Sequence, residues 1–323
     1  MSDDTRWMGP ALALATRGVG RTAPNPPVGC VIIRDGRVVG RGWTQPGGRP
    51  HAEAMALAQA GEAARGATAY MTLEPCAHIS QRGPACAELL DEAGLARVVI
   101  AMRDPDPRTN GAGIARLEAA GIAVTNDVSR TAAEQVMAGF LSRQARGRPR
   151  ITLKLAASLD GRIALPDGSS RWITGEEARA HAHLERARCD LIVVGRGTLD
   201  ADAPKLDVRL PGLEDRSPLR AVLTTGPAPD DWIGLSSPED VAGLERVDHV
   251  LVEGGAGAAA AFLKADLVDR LLLYCAPIVI GAGRDAIGDI GLTDLGQAHG
   301  RWRLTDTRQL GNDRLDVYER TRG

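Results

Sequence analysis

At 323 residues the chain exceeds one ordinary compact domain, which predicts two halves that each bury their own core. Apolar residues at 44% and charged residues at 25% exclude a disordered chain, and 39 Lys and Arg against 41 Asp and Glu, with no basic run interleaved with aromatics, exclude nucleic acid as a partner. No apolar stretch spans a bilayer and the start Met1-Ser2-Asp3-Asp4 lacks a secretion signal, so the expectation is a cytoplasmic protein with no membrane partner.

In chain order, the apolar run 28–33 predicts a strand, 52–60 a helix, 69–73 a strand and 84–93 a helix. Residues 97–101 read as a buried strand, 114–120 as a helix, 122–125 as a short strand and 129–145 as a helix. Alternation of this kind predicts a three-layer α/β/α domain. Arg146-Gly147-Arg148-Pro149-Arg150 breaks the periodicity, which places the boundary there and gives domains 1–146 and 150–323. The second half opens with a strand at 151–156. A helix at 175–187 and a strand at 191–194 follow, then strands at 220–223 and 250–251, a helix at 258–264, a strand at 270–276 and two strands near Trp302 and Arg314. No internal repeat is evident.

The five cysteines, Cys30, Cys76, Cys86, Cys189 and Cys275, are odd in number and scattered, which argues against a disulfide framework and frees some as ligands. His51-Ala52-Glu53 puts an imidazole and a carboxylate two residues apart at a helix start, and Glu74-Pro75-Cys76 and Cys86 supply two thiols downstream. Three protein ligands, His51, Cys76 and Cys86, leave zinc one open position for water, as a catalytic rather than a structural site requires. Glu53, beside the metal without binding it, is the candidate general acid and base. The pattern is similar to the H-x-E and P-C-x-x-C signature of zinc nucleobase deaminases, except that nine residues separate Cys76 from Cys86. His78, inside that insertion, is a competing ligand read as outer-shell. Cys30, Cys189 and Cys275 sit in apolar strand contexts and read as core.

The surrounding residues resemble the bifunctional deaminase-reductase family of riboflavin biosynthesis. In the first half the resemblance runs through 22–32 (TAPNPPVGCVI), His51-Ala52-Glu53 and 72–78 (TLEPCAH). In the second half it runs through 154–164 (KLAASLDGRIA), 170–174 (SRWIT), 195–206 (GRGTLDADAPKL) and 252–255 (VEGG). It implies a cytidine-deaminase-like N-terminal domain and a dihydrofolate-reductase-like C-terminal domain, with Zn2+ and NADPH as cofactors, a phosphoribosyl pyrimidine as substrate and a homo-oligomer as the assembly. It also implies hydrolytic deamination followed by reduction of the ribosyl group to ribityl.

Carried over position by position, the resemblance makes Asn25 a substrate contact in the deaminase, where a turn asparagine is the plain alternative. In the reductase it makes Lys154, Ser170, Arg186, Leu206, Arg209 and Glu253 substrate contacts. Ala156, Trp172, Thr198, Asp202, Thr225 and the run Gly255-Ala256-Gly257 become cofactor contacts. Glycines before an apolar helix suit a phosphate, Asp160-Gly161 is equally a hairpin turn, and Trp172 is equally a packing residue. Arg82, in the loop between the cysteines, is a further substrate candidate. The stretch between Arg209 and Glu253 is shorter than usual for the family by about one strand-helix unit, roughly 30 residues. This leaves as alternatives a deaminase with a non-reducing second half, and a non-catalytic module stapled by zinc.

Overall fold

The architecture is that of a computed structural model describing residues 3–78 and 83–322. The chain divides into two compact units, Met1–Gly147 and Arg148–Gly323.

In the first unit, α1 (Asp3–Ala15) precedes β1 (Gly29–Arg34) and β2 (Arg37–Trp43). Then follow α2 (Ala52–Ala60), β3 (Thr68–Met71), α3 (Cys86–Glu92), β4 (Arg97–Ile100), α4 (Ala112–Ala119), β5 (Ala123–Thr125), α5 (Arg130–Val136) and α6 (Ala138–Arg146). The sheet order is β2-β1-β3-β4-β5, antiparallel through β2, β1 and β3 and parallel from β3 to β5. The helices lie on both faces, as the register of two glycines demonstrates. A Cβ on Gly29 would fall 1.9 Å from Ala11 O of α1, and one on Gly42 would fall 2.2 Å from Ala52 O of α2. Gly42 pairs with Cys30, the neighbour of Gly29, so the two glycines face opposite sides of the sheet and the helices form separate layers. Between them the core is aliphatic, with Met8, Ile32, Met71, Leu90, Ile100, Leu117 and Met137 fully buried. The close approach at Gly42 holds the first turn of α2, and with it His51 and Glu53, against the sheet.

The second unit begins with β6 (Arg150–Ala157) and β7 (Arg162–Ala164), joined by a turn in which Gly161 takes φ +76°. It continues with α7 (Glu176–Arg186), β8 (Leu191–Gly195), α8 (Arg196–Asp202), β9 (Leu219–Leu223), β10 (Ile233–Leu235), β11 (His249–Val252), α9 (Ala256–Lys264), β12 (Arg270–Cys275), β13 (Arg284–Asp285), β14 (Trp302–Leu310) and β15 (Asp313–Arg320). Eight strands form a sheet in the order β10-β9-β8-β11-β6-β12-β15-β14, parallel from β10 to β12 and antiparallel beyond, while β7 and β13 make a separate ribbon. Ile151, Leu153, Leu191, Val193, Val252 and Phe262 fill the main core. The arginines of the expected boundary are anchored: Arg148 pairs with Asp269 at 2.7 Å and Arg150 with Glu319 at 2.6 Å. Among the described residues no helix is long and apolar enough to cross a membrane.

Burial holds the His249 imidazole down to about 3, with Arg150 and Arg270 adding repulsion against its charged form. The folded value lies below the unfolded one of about 6.5, so this contribution to stability is complete above that pH and is lost as pH falls toward 3. The unfolding midpoint is expected to decline between pH 6.5 and 5, and His249→Gln is expected to flatten that decline in a thermal melt series.

Candidate functional site

His51 is the residue immediately before α2, and Glu53 lies in that helix's first turn at 3% exposure. Cys76 follows β3 after Thr72-Leu73-Glu74-Pro75, and Cys86 opens α3. His51 Nδ1 is 3.3 Å from Cys86 Sγ and 3.7 Å from Cys76 Sγ, and the Cys86 backbone N–H donates to Cys76 Sγ at 3.3 Å. Two ligands placed tetrahedrally at zinc's usual bond lengths stand about 3.6 Å apart, so the separations suit one zinc ion. All three donor atoms lie within 4.8 Å of one another, and among the described residues this is the group able to hold a metal. Hydrogen bonds from the Cys86 side chain and then His51 hold the Cys76 thiol down to about 4 against its burial, which favours the thiolate that metal binding needs. Burial raises the Glu53 carboxyl, an effect opposed by the charge of His51. A pocket of about 240 Å3, lined by Arg49, Pro50, His51, Ala54, Gly83, Pro84, Cys86 and Leu89, opens beside the donors.

Glu74, which the residue pattern alone did not single out, organises the Cys76 arm. Its carboxylate, 2% exposed, accepts N–H bonds from Asp104, Gly111, Gly113 and Ile114 at 2.9–3.2 Å, joining the loop before α4 and the N-terminus of that helix to the residue two before Cys76. Glu74→Ala would strand buried donors at roughly 1–3 kcal/mol each. A loss of at least about 3 kcal/mol in chemical denaturation is expected, together with weaker zinc retention. His78 turns toward Thr109, its Nδ1 3.5 Å from Thr109 Oγ1, and stands outside the metal group. Arg82 lies outside the described residues. Cys30 and Cys189 are buried, although Cys189 follows α7 rather than sitting in a strand, and Cys275 is half-buried at the end of β12.

In the second unit a cleft of about 1070 Å3 opens beyond the carboxyl ends of β6, β8, β9 and β11, where parallel sheets bind ligands. Lys154, Ser170, Arg186, Leu206, Arg209 and Glu253 line it, as do Ala156, Trp172, Thr198, Asp202, Gly255, Ala256 and Gly257. Thr225 sits past the end of β9, exposed and outside the lining, which that strand meets at Leu223. Arg186 clasps Glu253 through two hydrogen bonds of 2.7 and 2.8 Å, and Lys154 Nζ stands 4.0 Å from the same carboxylate. Thr198 Oγ1 accepts the Gly255 N–H at 3.0 Å, tying α8 to the glycine run ahead of α9. Trp172 is 66% exposed, with the Arg179 guanidinium 4.8 Å from its ring centre. Arg171, Arg179, His183, Lys205 and Arg284 also line the cleft; Arg171 and Lys205 lie inside the quoted motifs without having been given a role, and Arg179, His183 and Arg284 fall outside them.

Residues 1–102 match the cytidine and deoxycytidylate deaminase zinc-binding region, and residues 149–233 and 238–315 match the RibD C-terminal domain. The chain is 38% identical over 359 residues to the riboflavin biosynthesis protein RibD of Escherichia coli, covering 96% of this chain and 97% of that one. It is 41% identical over 328 residues to RibD of Mycobacterium tuberculosis, covering 95% of each. The chain belongs to the RibD family. A solved Thermotoga maritima structure, described as a diaminohydroxyphosphoribosylaminopyrimidine deaminase/5-amino-6-(5-phosphoribosylamino)uracil reductase, superposes with a TM-score of 0.89 at 30% identity, covering 98% of this chain and 99% of that one.

RibD family membership makes the chain a bifunctional riboflavin biosynthesis protein with a zinc-dependent deaminase domain and an NADPH-dependent reductase domain. The cytidine-deaminase-like and reductase folds expected from the residues are the folds found, and neither the non-reducing alternative nor the zinc-stapled module is supported. The stretch between Arg209 and Glu253 carries a 3-10 turn at Glu214–Arg216, β9, β10, a second 3-10 turn at Pro238–Gly243 and β11, and its three strands are neighbours of β8 or of one another in the eight-stranded sheet. The near end-to-end match with the M. tuberculosis relative over 328 residues shows that a RibD chain of about this length is not an isolated case.

Proposed function

We propose that the first domain deaminates 2,5-diamino-6-(5-phosphoribosylamino)pyrimidin-4-one by hydrolysis. The second then uses NADPH to reduce the ribosyl group of the resulting 5-amino-6-(5-phosphoribosylamino)uracil to ribityl. The observation that carries the reading is the convergence of His51 Nδ1 with the Cys76 and Cys86 sulfurs beside a buried Glu53. The activities named for the Thermotoga maritima relative supply the substrate class.

His51, Cys76 and Cys86 would hold the zinc, which in such sites acidifies a water and turns it into a nucleophile. Glu53 would carry a proton from the attacking water to the departing amine, so that a C–O bond replaces a C–N bond and ammonia leaves. Its buried setting, which raises its affinity for a proton, suits this carrier role. Asn25 contacts the pyrimidine.

In the reductase domain the hydride belongs to the nicotinamide, and the residues contribute placement. Lys154, Ser170, Arg186, Leu206, Arg209 and Glu253 hold the substrate, the cations answering its phosphate and the Glu253 carboxylate its hydroxyls. Ala156, Trp172, Thr198, Asp202, Gly255, Ala256 and Gly257 hold the cofactor, with the N-terminus of α9 facing its phosphates. Thr225 is left out of this set because it is exposed and outside the lining. A cytoplasmic homo-oligomer completes the reading and rests on family membership alone.

A two-stage incubation tests the proposal. The zinc-loaded chain with substrate and no NADPH should release one ammonia per substrate, and added NADPH should then be oxidised one for one. NADPH oxidation with no prior ammonia would overturn the assigned order, and ammonia without later oxidation would overturn the reductase assignment.

A further inference from the structure

Metal binding through Nδ1 leaves a histidine's other nitrogen to be satisfied, and the group that satisfies it fixes both tautomer and ring orientation. In this chain the side-chain amide nitrogen of Asn25, Nδ2, stands 3.0 Å from His51 Nε2, on the side of the ring away from the two sulfurs, and turning the amide end for end would put its oxygen in the same place. The amide is itself clamped. A Cβ on Gly48 would fall 2.4 Å from Asn25 Oδ1 and 2.7 Å from its Cγ, and Gly48 takes φ +88°, a conformation that leaves the space open to the amide. The backbone on both sides is tied down, with Asn25 N–H donating to Thr22 O at 2.9 Å and Gly48 N–H to Gln45 O at 2.9 Å.

We propose that Asn25 is a positioning residue for the zinc: its amide oxygen accepts the Nε2 proton of His51 and holds the ring with Nδ1 turned to the metal. The inference rests on the zinc reading above. Only two arrangements satisfy the contact. If the ring proton is on Nδ1, Nε2 accepts from the amide NH2 and Nδ1 is blocked to a metal. If Nδ1 faces the metal, Nε2 carries the proton and the amide presents its oxygen. The second arrangement turns the amide end for end, so that its oxygen faces His51 Nε2 and its NH2 takes the position beside Gly48.

The test separates the two duties. Zinc dissociation constants are measured by competition with a chromophoric chelator for the wild-type chain, Asn25→Ala and Asn25→Asp, with Asn25→Leu as a packing control, and KM and kcat for ammonia release are measured on the zinc-loaded proteins. Asn25→Ala is expected to weaken zinc binding by roughly 10- to 100-fold, the usual cost of removing a partner of a metal-bound histidine. Asn25→Asp keeps the acceptor, so it should bind zinc as tightly as wild type or tighter, yet it lacks the NH2 donor and should show a raised KM. A residue serving only as a substrate contact would raise KM in both variants and leave zinc affinity unmoved, and one serving only as packing would keep wild-type zinc affinity in Asn25→Leu, which retains the branched shape but offers no acceptor. Wild-type zinc affinity in Asn25→Ala, or equal loss in both variants, overturns the inference. A wild-type chain that binds no zinc overturns the zinc reading and this inference with it.

Discussion

Replacing Glu53 by glutamine is expected to leave zinc bound and to cut ammonia release by roughly 100- to 10,000-fold, the range that a positioned general acid and base supplies. Glutamine keeps the shape of the side chain in the first turn of α2, where the residue is 3% exposed, so the helix should stay packed and His51 in place. What is lost is the group that accepts a proton from water and yields it to the amine. NADPH oxidation with the deaminated intermediate supplied directly should be unchanged, because every residue lining that cleft belongs to the second unit. Full turnover in a zinc-replete Glu53→Gln chain would mean that another group moves the proton.

The second large effect is expected at Glu253. Burial pushes its carboxyl up, but the hydrogen bonds from Arg186 and the charge of Lys154 outweigh that, and the net shift is downward. The Glu253 side chain is 9% exposed and its Arg186 partner 15%. Glu253→Ala strips the acceptor from a guanidinium that is largely out of water, and breaking a buried pair in this way costs about 3–5 kcal/mol. The second unit should therefore unfold earlier in denaturant and NADPH-dependent reduction should be lost, while ammonia release persists. Retained reduction at near wild-type KM would remove Glu253 from the substrate set.

The residues proposed to carry the chemistry were legible because metal ligation and proton transfer demand particular side chains in a particular order, and His51, Glu53, Cys76 and Cys86 announce themselves by type. The central strands and helices were legible for a similar reason: 98–101 and 191–194 are unbroken apolar runs, and the strands found there are Arg97–Ile100 and Leu191–Gly195. Elements held by tertiary contact were not. Strand β2 carries Gly40 and Gly42 and alternates irregularly, and it forms because β1 pairs along it and α2 presses on it. Helix α1 carries Pro10 in its interior, yet buries Met8, Ala11 and Ala15 while the proline itself faces solvent. The expected single helix 129–145 is two, α5 and α6, broken at Met137, which leaves helical geometry at φ −95° and ψ 14° while its side chain is fully buried.

Glu74 shows the limit most clearly at the site. Its position in Thr72-Leu73-Glu74-Pro75-Cys76 was visible, but its work depends on four backbone N–H groups from residues 104–114, which only folding brings together. Asn25 is the converse case: the residue was singled out as a substrate contact, whereas its contact with His51 Nε2 became visible only once 25 and 51 were placed side by side.

The central claim is that one imidazole and two thiolates converge on a zinc that keeps a position for water. X-ray absorption at the zinc edge of the loaded full-length chain measures this directly. Two sulfur neighbours at about 2.3 Å and two nitrogen or oxygen neighbours at about 2.0–2.1 Å are expected, one of the latter being exchangeable with solvent. Three or four sulfur neighbours, or an unchanged spectrum in Cys86→Ala, would contradict it.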